Sequence, residues 1–173
     1  LHVEATEILM DLLEESGLET YAGKVNMDRN GGKNLEEASA QSSAAETRRW
    51  LQETEGKYRH TRPILTPRFI PACSDELMAE LRTIQKEYGL PVQSHLSENP
   101  QEVAWVKELC PKAKSYSDAY FQAGLFGGTY PAVMAHCIWV DEEEIQLMKE
   151  QGVYVAHCPQ SNANLSSGIA PVR

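Results

Sequence analysis

Three apolar segments of the sequence each end in a histidine: Val92–His95, Val133–His136 and Val155–His157. In parallel α/β folds the carboxyl ends of the strands lie at one edge, where binding and catalytic residues gather. Neutral imidazole is a good zinc ligand, and ligands from neighbouring strand ends can converge on one ion although they are far apart in sequence. The pattern indicates a metal site. Histidines that only hydrogen-bond within a polar rim would give the same pattern.

An acidic residue, Glu98, follows His95 by three positions and immediately precedes Asn99, a predicted helix N-cap. At this place the carboxylate can face the same edge as the histidines. A carboxylate beside an activated water can accept a proton from it and later give one to a leaving group. The alternative is an ordinary acidic residue stabilised by a helix N-terminus.

Two further groups could contact a ligand at this edge. Arg68 and Phe69 end another apolar segment, where a fork of donors and an aromatic face could hold a planar base that carries oxygen. A rim ion pair for Arg68 and a core position for Phe69 are the alternative. The run from His157 to Asn162 is a strand end that enters a turn, with side chains able to position a neighbouring ligand, or it is a plain loop.

The elements that must position these residues follow a repeated pattern of apolar strand, polar loop and amphipathic helix. This alternation predicts a parallel sheet. The chain has 173 residues, whereas a complete barrel needs roughly 250. The pattern therefore predicts an α/β fold that is part of a (β/α)8 TIM-type barrel, with about five consecutive strand-helix units. The predicted strands are Glu19–Met27, Pro63–Phe69, Pro91–His95, Pro131–Cys137 and Val153–Cys158.

Helix signals lie between these strands. The sequence after Asn99 gives an N-cap, a proline at the first helical position and a glutamate at the third, and Asp141 begins a similar signal. The predicted helices are Ala5–Glu15, Leu35–Thr54, one from the N-cap Ser74 to Gly89, one from Asn99, and one from Asp141 to Gly152. The polar, alanine-rich helix Leu35–Thr54 is expected at the surface.

The overall charge and hydropathy exclude several classes of partner. A net charge of −9 and a pI of about 5.0 argue against nucleic acid and anionic membranes as partners. No apolar run approaches the roughly 20 residues that span a bilayer, and the start has no secretion-signal pattern. We therefore expect a cytoplasmic protein that acts on a small molecule, with neither a nucleic-acid nor a membrane partner.

Four runs of residues, in order and spacing, resemble the guanine deaminase family of the zinc-dependent amidohydrolase superfamily. They are Thr66–Phe69, Ser94–Asn99, Met134–Cys137 and Ala156–Asn162. The likeness extends through Gly23–Asp28 and Asn164–Gly168, and so covers almost the whole chain.

The resemblance implies hydrolytic deamination of guanine to xanthine and ammonia by a zinc-activated water, with one Zn²⁺ per site and no organic cofactor. It also implies a purine substrate and a homodimer in the full-length family. The roles it implies are metal ligation by His95 and His136, proton transfer by Glu98, guanine contacts by Arg68 and Phe69, and positions beside the metal site for His157 and Asn162.

Two ligand groups of the resembled family have no counterpart in the sequence. A His-x-His pair on the first strand would lie before Leu1, and an aspartate on the eighth strand would lie after Arg173. We expect residues 1–173 to be a partial metal-dependent barrel domain, and we assign the activity to the full-length parent. Two alternatives stay open: an amidohydrolase for another amino-purine or amino-heterocycle, and a non-catalytic, oligomerising half barrel.

Overall fold

Parallel strands form the framework of the protein. The computed structural model describes residues 2–32 and 34–171, and every strand pairing within these residues is parallel. The strands are β1 Thr20–Ala22, β2 Val25–Asn26, β3 Thr61–Pro63, β4 Thr66–Pro67, β5 Val92–Leu96, β6 Ala132–His136 and β7 Tyr154–Ala156.

The strands follow chain order, and two of the five predicted strands are interrupted. Glu19–Met27 divides into β1 and β2, which pair with β3 and β4 respectively. A bridge between Leu65 and Val92 continues the parallel pairing towards β5, which is followed by β6 and then β7. Five strand positions in sequential, parallel order confirm the predicted α/β architecture.

Helices alternate with these strands. They are α1 Val3–Glu15, α2 Ala40–Thr54, α3 Asp75–Tyr88, α4 Pro100–Leu109, α5 Tyr116–Ala123, α6 Glu142–Gln151 and α7 Pro159–Asn164, with a short 3₁₀ helix at Ile70–Ala72. None of them, within the described ranges, is both long and apolar enough to cross a bilayer.

The predicted caps of α4 and α6 are confirmed. The Asn99 side chain accepts a hydrogen bond from the backbone N–H of Glu102 at 2.9 Å. Asp141 and Glu144 form a reciprocal capping box at the start of α6. Both ends therefore satisfy N–H groups that would otherwise lack a partner. Gly152 ends α6 in the left-handed conformation, as a C-terminal glycine is expected to do.

Three predictions about helices were wrong. Helix α2 begins at Ala40 rather than Leu35, because the Ser39 side chain caps it by accepting from the Ser42 N–H at 3.1 Å. One face of α2, including Trp50 and Leu51, is buried, so this helix is not a surface element throughout. The run that follows Cys158, predicted to be a turn, forms the short helix α7.

Helix α5 was not predicted, although its sequence carries a signal. The residues Tyr116, Ala119 and Tyr120 are buried at helical spacing. Two of them are tyrosines, whose rings stack with centroids 5.5 Å apart. The hydroxyl of Tyr120 bonds to the Ser94 hydroxyl at 2.7 Å and donates to the His95 carbonyl oxygen at 2.9 Å. Helix α5 therefore braces the back of β5 at the end that carries His95.

Gly23 lies at the break between β1 and β2, where the backbone approaches the neighbouring strand closely. A Cβ at this position would overlap the carbonyl oxygen of Ile64 and the hydroxyl of Thr66. Gly56, in contrast, has a φ of 69°, and a Cβ there would meet no atom within 4 Å. Gly23 is required because a Cβ would not fit, and Gly56 is favoured because of its positive φ angle.

We expect Gly23→Ala to destabilise the fold by about 1–3 kcal/mol, because added volume in a packed contact forces a backbone shift. Gly56→Ala serves as the control, with an expected loss of about 1 kcal/mol from its left-handed conformation. Thermal and urea unfolding of the two variants measures the difference. A loss at Gly23 no larger than that at Gly56 would contradict the close approach.

Candidate metal and substrate site

His95, Glu98 and His136 converge, although they come from β5, the β5–α4 turn and β6. One ligand atom from each lies within 4.8 Å of the others, and within residues 2–32 and 34–171 this is the one such group of at least three potential ligands. The two imidazole centroids are 5.3 Å apart with nearly perpendicular planes. The Glu98 Oε1 atom lies 3.7 Å from His136 Nδ1. Two imidazoles and a carboxylate are donors that suit zinc.

The register of β5 and β6, together with a left-handed turn at the end of β6, sets this geometry. His95 pairs with Ala135, and Leu96 pairs with His136. Simple alternation along β6 would therefore place His136 on the face opposite to His95. Instead, His136 and Cys137 have φ angles of 74° and 48°, which interrupt the alternation where the strand ends. This left-handed turn brings the His136 ring beside the ring of His95.

The turn that carries Glu98 is fixed against the end of β6. Ser97 has a φ of 50°, and its carbonyl oxygen accepts hydrogen bonds from the N–H groups of Ile138 and Trp139 at 3.1 and 3.0 Å. Ser97 is buried. The carboxylate of Glu98 thus follows a backbone that is held in place rather than a mobile loop.

Asn162, which lies in α7, orients the ring of His136. Its side-chain Oδ1 lies 2.8 Å from His136 Nδ1, and only 2% of Asn162 is exposed. Because an amide oxygen can only accept, Nδ1 is the donor in this contact, and Nε2 remains available for another partner. The structure therefore brings together His136 and Asn162 as well as the group of three.

His157 is the one predicted site residue that does not join this arrangement. Its side chain is exposed, and it is absent from the described group of potential metal ligands. It lines a separate concavity with Asn162 and Ile169. The reason is local: β7 ends at Ala156, one residue earlier, and the chain then enters α7.

Arg68 and Phe69 lie at the same rim. The Phe69 ring centroid is 6.5 Å from that of His95 and 6.2 Å from that of Trp105. The Arg68 guanidinium lies 5.4 Å from the Phe69 centroid, within cation–π range. Both residues are half-buried, and within the described chain no carboxylate forms an ion pair with Arg68. Among the described residues, neither the rim ion pair for Arg68 nor a fully buried position for Phe69 is seen.

An open cavity with a volume of about 480 Å³ extends from Arg68 and His95 across one face of the strands. Along β6 the lining residues alternate, as expected for side chains on one face of a sheet, whereas β5 contributes three consecutive residues. The lining residues are Val25, Met27, Leu35, Thr66, Pro67, Arg68, Gln93, Ser94, His95, Val133, Ala135 and Ala156.

A short polar stretch, Asp28–Asn30, anchors the Arg68–Phe69 rim. The Asp28 carboxylate accepts hydrogen bonds from the N–H and the hydroxyl of Ser74. The Arg29 guanidinium donates to the Ile70 carbonyl oxygen at 3.1 Å, and the Asn30 amide donates to that of Pro71 at 2.8 Å. The available signal was a cluster of short polar residues, which also occurs in loops without such contacts.

Electrostatics favour the neutral form of His95. Its ring is accessible from the open cavity, but the surrounding protein atoms reduce its hydration. This desolvation, followed by the Coulombic interaction with the neighbouring His136 ring, lowers the pKa of His95 below its usual value of 6.5. Since only neutral imidazole can donate a lone pair to a metal, the lowered pKa keeps His95 in its ligating form at neutral pH.

The chain is similar to known guanine deaminases over almost its whole length. A guanine deaminase from Mus musculus is 39% identical over 173 residues, which are 99% of this chain and 38% of the mouse protein. The crystal structure of guanine deaminase from C. acetobutylicum with bound guanine has a TM-score of 0.93 and 46% identity, over 99% of this chain and 40% of that chain.

A more distant structure shows that the fold is shared more widely. An adenosine deaminase from Xanthomonas campestris, crystallised with bound zinc, has a TM-score of 0.82 at 22% identity, over 96% of this chain and 36% of that one. The present chain spans about 38% of the length of the Mus musculus relative. These matches confirm the predicted fold class, a part of an amidohydrolase barrel.

The model of the amidohydrolase family matches residues 2–173, which is nearly the whole sequence. The match agrees with the resemblance found in the strand-end motifs. The chain therefore belongs to the amidohydrolase family.

Proposed function

We propose that the complete protein hydrolyses guanine to xanthine and ammonia at a single zinc ion held in part by His95 and His136. The observation that carries this proposal is the convergence of His95, Glu98 and His136 beside the Arg68–Phe69 rim. The likeness to guanine deaminases, one of which has guanine bound, supports this substrate.

The residues present fit a zinc ion. Catalytic zinc sites in proteins use nitrogen and carboxylate ligands and leave one position open. His95 is held neutral by its surroundings, and the Nδ1–H of His136 is engaged by Asn162, so both rings can offer a nitrogen. Zinc bound here would supply a water molecule whose pKa lies near 7. Further ligands belong to the complete protein, because this chain covers about 38% of the Mus musculus relative.

Glu98 is the proton carrier in this proposal. Its carboxylate lies at the edge of the histidine pair, with 14% of the side chain exposed. It accepts a proton from the attacking water and delivers it to the purine ring nitrogen beside C2. The water oxygen bonds to C2, and the hydroxyl group formed there passes its remaining proton to the amino group. The C2–N bond then breaks, ammonia leaves, and the carbonyl of xanthine forms. Guanine and water are thus converted to xanthine and ammonia without an oxidant or reductant.

Arg68 and Phe69 recognise the base in this proposal. A guanidinium presents several donors in one plane, which can bond to a carbonyl oxygen and a ring nitrogen of a purine together. The Phe69 ring, between His95 and Trp105, offers an aromatic surface for the edge or face of the base. An amino-purine with a carbonyl oxygen satisfies both groups.

Glu98→Gln in the complete gene product should abolish ammonia release from guanine while zinc content stays near the wild-type level. The amide keeps the size of the side chain but cannot carry the proton, and loss of a general acid–base typically costs about 10²–10⁴-fold in rate. Glu108→Gln, an exposed change on α4, is the matched control. Ammonia release by Glu98→Gln at a rate close to wild type would exclude the assigned role.

His95→Gln and His136→Gln should each lower the zinc content, which is measurable by metal analysis after dialysis. The reason is the loss of an imidazole nitrogen from the ligand set. His2→Gln, an exposed histidine outside the group, is the control. Full zinc content in His136→Gln together with lost activity would show that His136 contacts the water or substrate instead of the metal.

Arg68→Ala should reduce kcat/KM for guanine far more than it reduces zinc content, since the guanidinium is proposed to touch the base and not the metal. Truncating a charged hydrogen-bond partner costs about 1.5–3 kcal/mol, or roughly 10- to 100-fold. Arg59→Ala, an exposed arginine, provides the control. Equal losses of zinc content and of activity would contradict the assignment of Arg68 as a substrate contact.

A further inference from the structure

Ser167 contacts the proposed proton carrier directly. Its hydroxyl donates a hydrogen bond to Glu98 Oε1 at 3.3 Å, although the two residues are 69 positions apart in the chain. Only 5% of Ser167 is exposed. Within residues 2–32 and 34–171, this hydroxyl is the one hydrogen-bond donor to the Glu98 carboxylate. The contact therefore accounts for the position of that carboxylate.

The backbone of Ser167 is held on both sides. Its N–H donates to the Asn162 carbonyl oxygen at 2.8 Å, and its own carbonyl oxygen accepts from Trp139 Nε1 at 2.8 Å. The next residue, Gly168, has a φ of 124°, and a Cβ there would lie 3.0 Å from the Ile138 side chain. With backbone contacts on each side, the hydroxyl has little freedom to move away from Glu98.

Asn162 links this segment to the histidine pair. Its backbone carbonyl holds Ser167, while its side-chain oxygen bonds to His136 Nδ1 at 2.8 Å. The end of α7 therefore fixes both His136 and, through Ser167, Glu98. Groups that must act together on one substrate are therefore contacted by one short segment of chain.

We propose that Ser167 is a positioning residue that holds Glu98 in the orientation needed for proton transfer. This inference rests on the proposed function, because it gives the Glu98 carboxylate a task. A hydrogen bond to Oε1 leaves Oε2 to exchange the proton between water and the purine ring. Displacement of such a group by about 1 Å can cost on the order of 100-fold in rate.

The test uses Ser167→Ala, Ser167→Thr and the matched control Ser166→Ala in the zinc-loaded complete gene product. Ser166 is exposed, has the same side chain and occupies the neighbouring position. For Ser167→Ala we expect kcat for guanine to fall by about 10- to 100-fold, with KM and zinc content near wild type. Ser167→Thr keeps the hydroxyl and should restore most of kcat, and Ser166→Ala should behave as wild type.

A structural readout accompanies the kinetics. In a crystal structure of Ser167→Ala, we expect the Glu98 carboxylate to leave its position 3.7 Å from His136 Nδ1, with the histidines unmoved. A carboxylate that stays in place, or an equal loss of kcat in Ser166→Ala, would overturn the positioning role. If the wild-type protein releases no ammonia from guanine, the proposed function fails, and the position of the carboxylate alone decides the role of Ser167.

Discussion

The parallel pairing of β5 with β6 is the constraint on which the site depends. The register that sets His95 beside Ala135 and Leu96 beside His136 places two imidazoles at neighbouring strand ends. A slip of one residue would turn the side chains of the slipped strand to the opposite face of the sheet, because side chains alternate along a strand. The brace from Tyr120 to the His95 carbonyl oxygen stabilises this register from the helix side.

The convergence of His95, Glu98 and His136 also requires backbone conformations that are unfavourable by themselves. Ser97, His136 and Cys137 all have positive φ angles, each at a cost of about 1–3 kcal/mol. The bonds from Ile138 and Trp139 to the Ser97 carbonyl, and from His136 to Asn162, offset part of this cost, at about 0.5–1.5 kcal/mol each. Such strain gathers where chemistry needs a side chain in a place that regular structure would not reach. The sheet positions the site, and these turns complete it.

Much of the framework could be predicted from the sequence because its signals are local. The N-cap at Asn99 and the histidine at the end of each apolar segment needed only neighbouring residues, and both the cap and the convergence of His95 with His136 were found. Helix α5 was missed because its buried face consists of tyrosines and small residues. Ser167 could not be predicted, because its contact with Glu98 joins residues 69 positions apart and nothing in a serine-glycine run distinguishes it from a loop. The roles of the site residues remain proposals.

Binding of one zinc ion by His95 and His136 beside Glu98 is the feature on which the proposed chemistry depends. Anomalous diffraction at the zinc edge, from crystals of the complete gene product, tests it most directly. We expect a single strong peak about 2.0–2.1 Å from a ring nitrogen of each histidine, with the Glu98 carboxylate nearby. A peak bound elsewhere, or no peak at this group in zinc-saturated protein, would contradict this assignment.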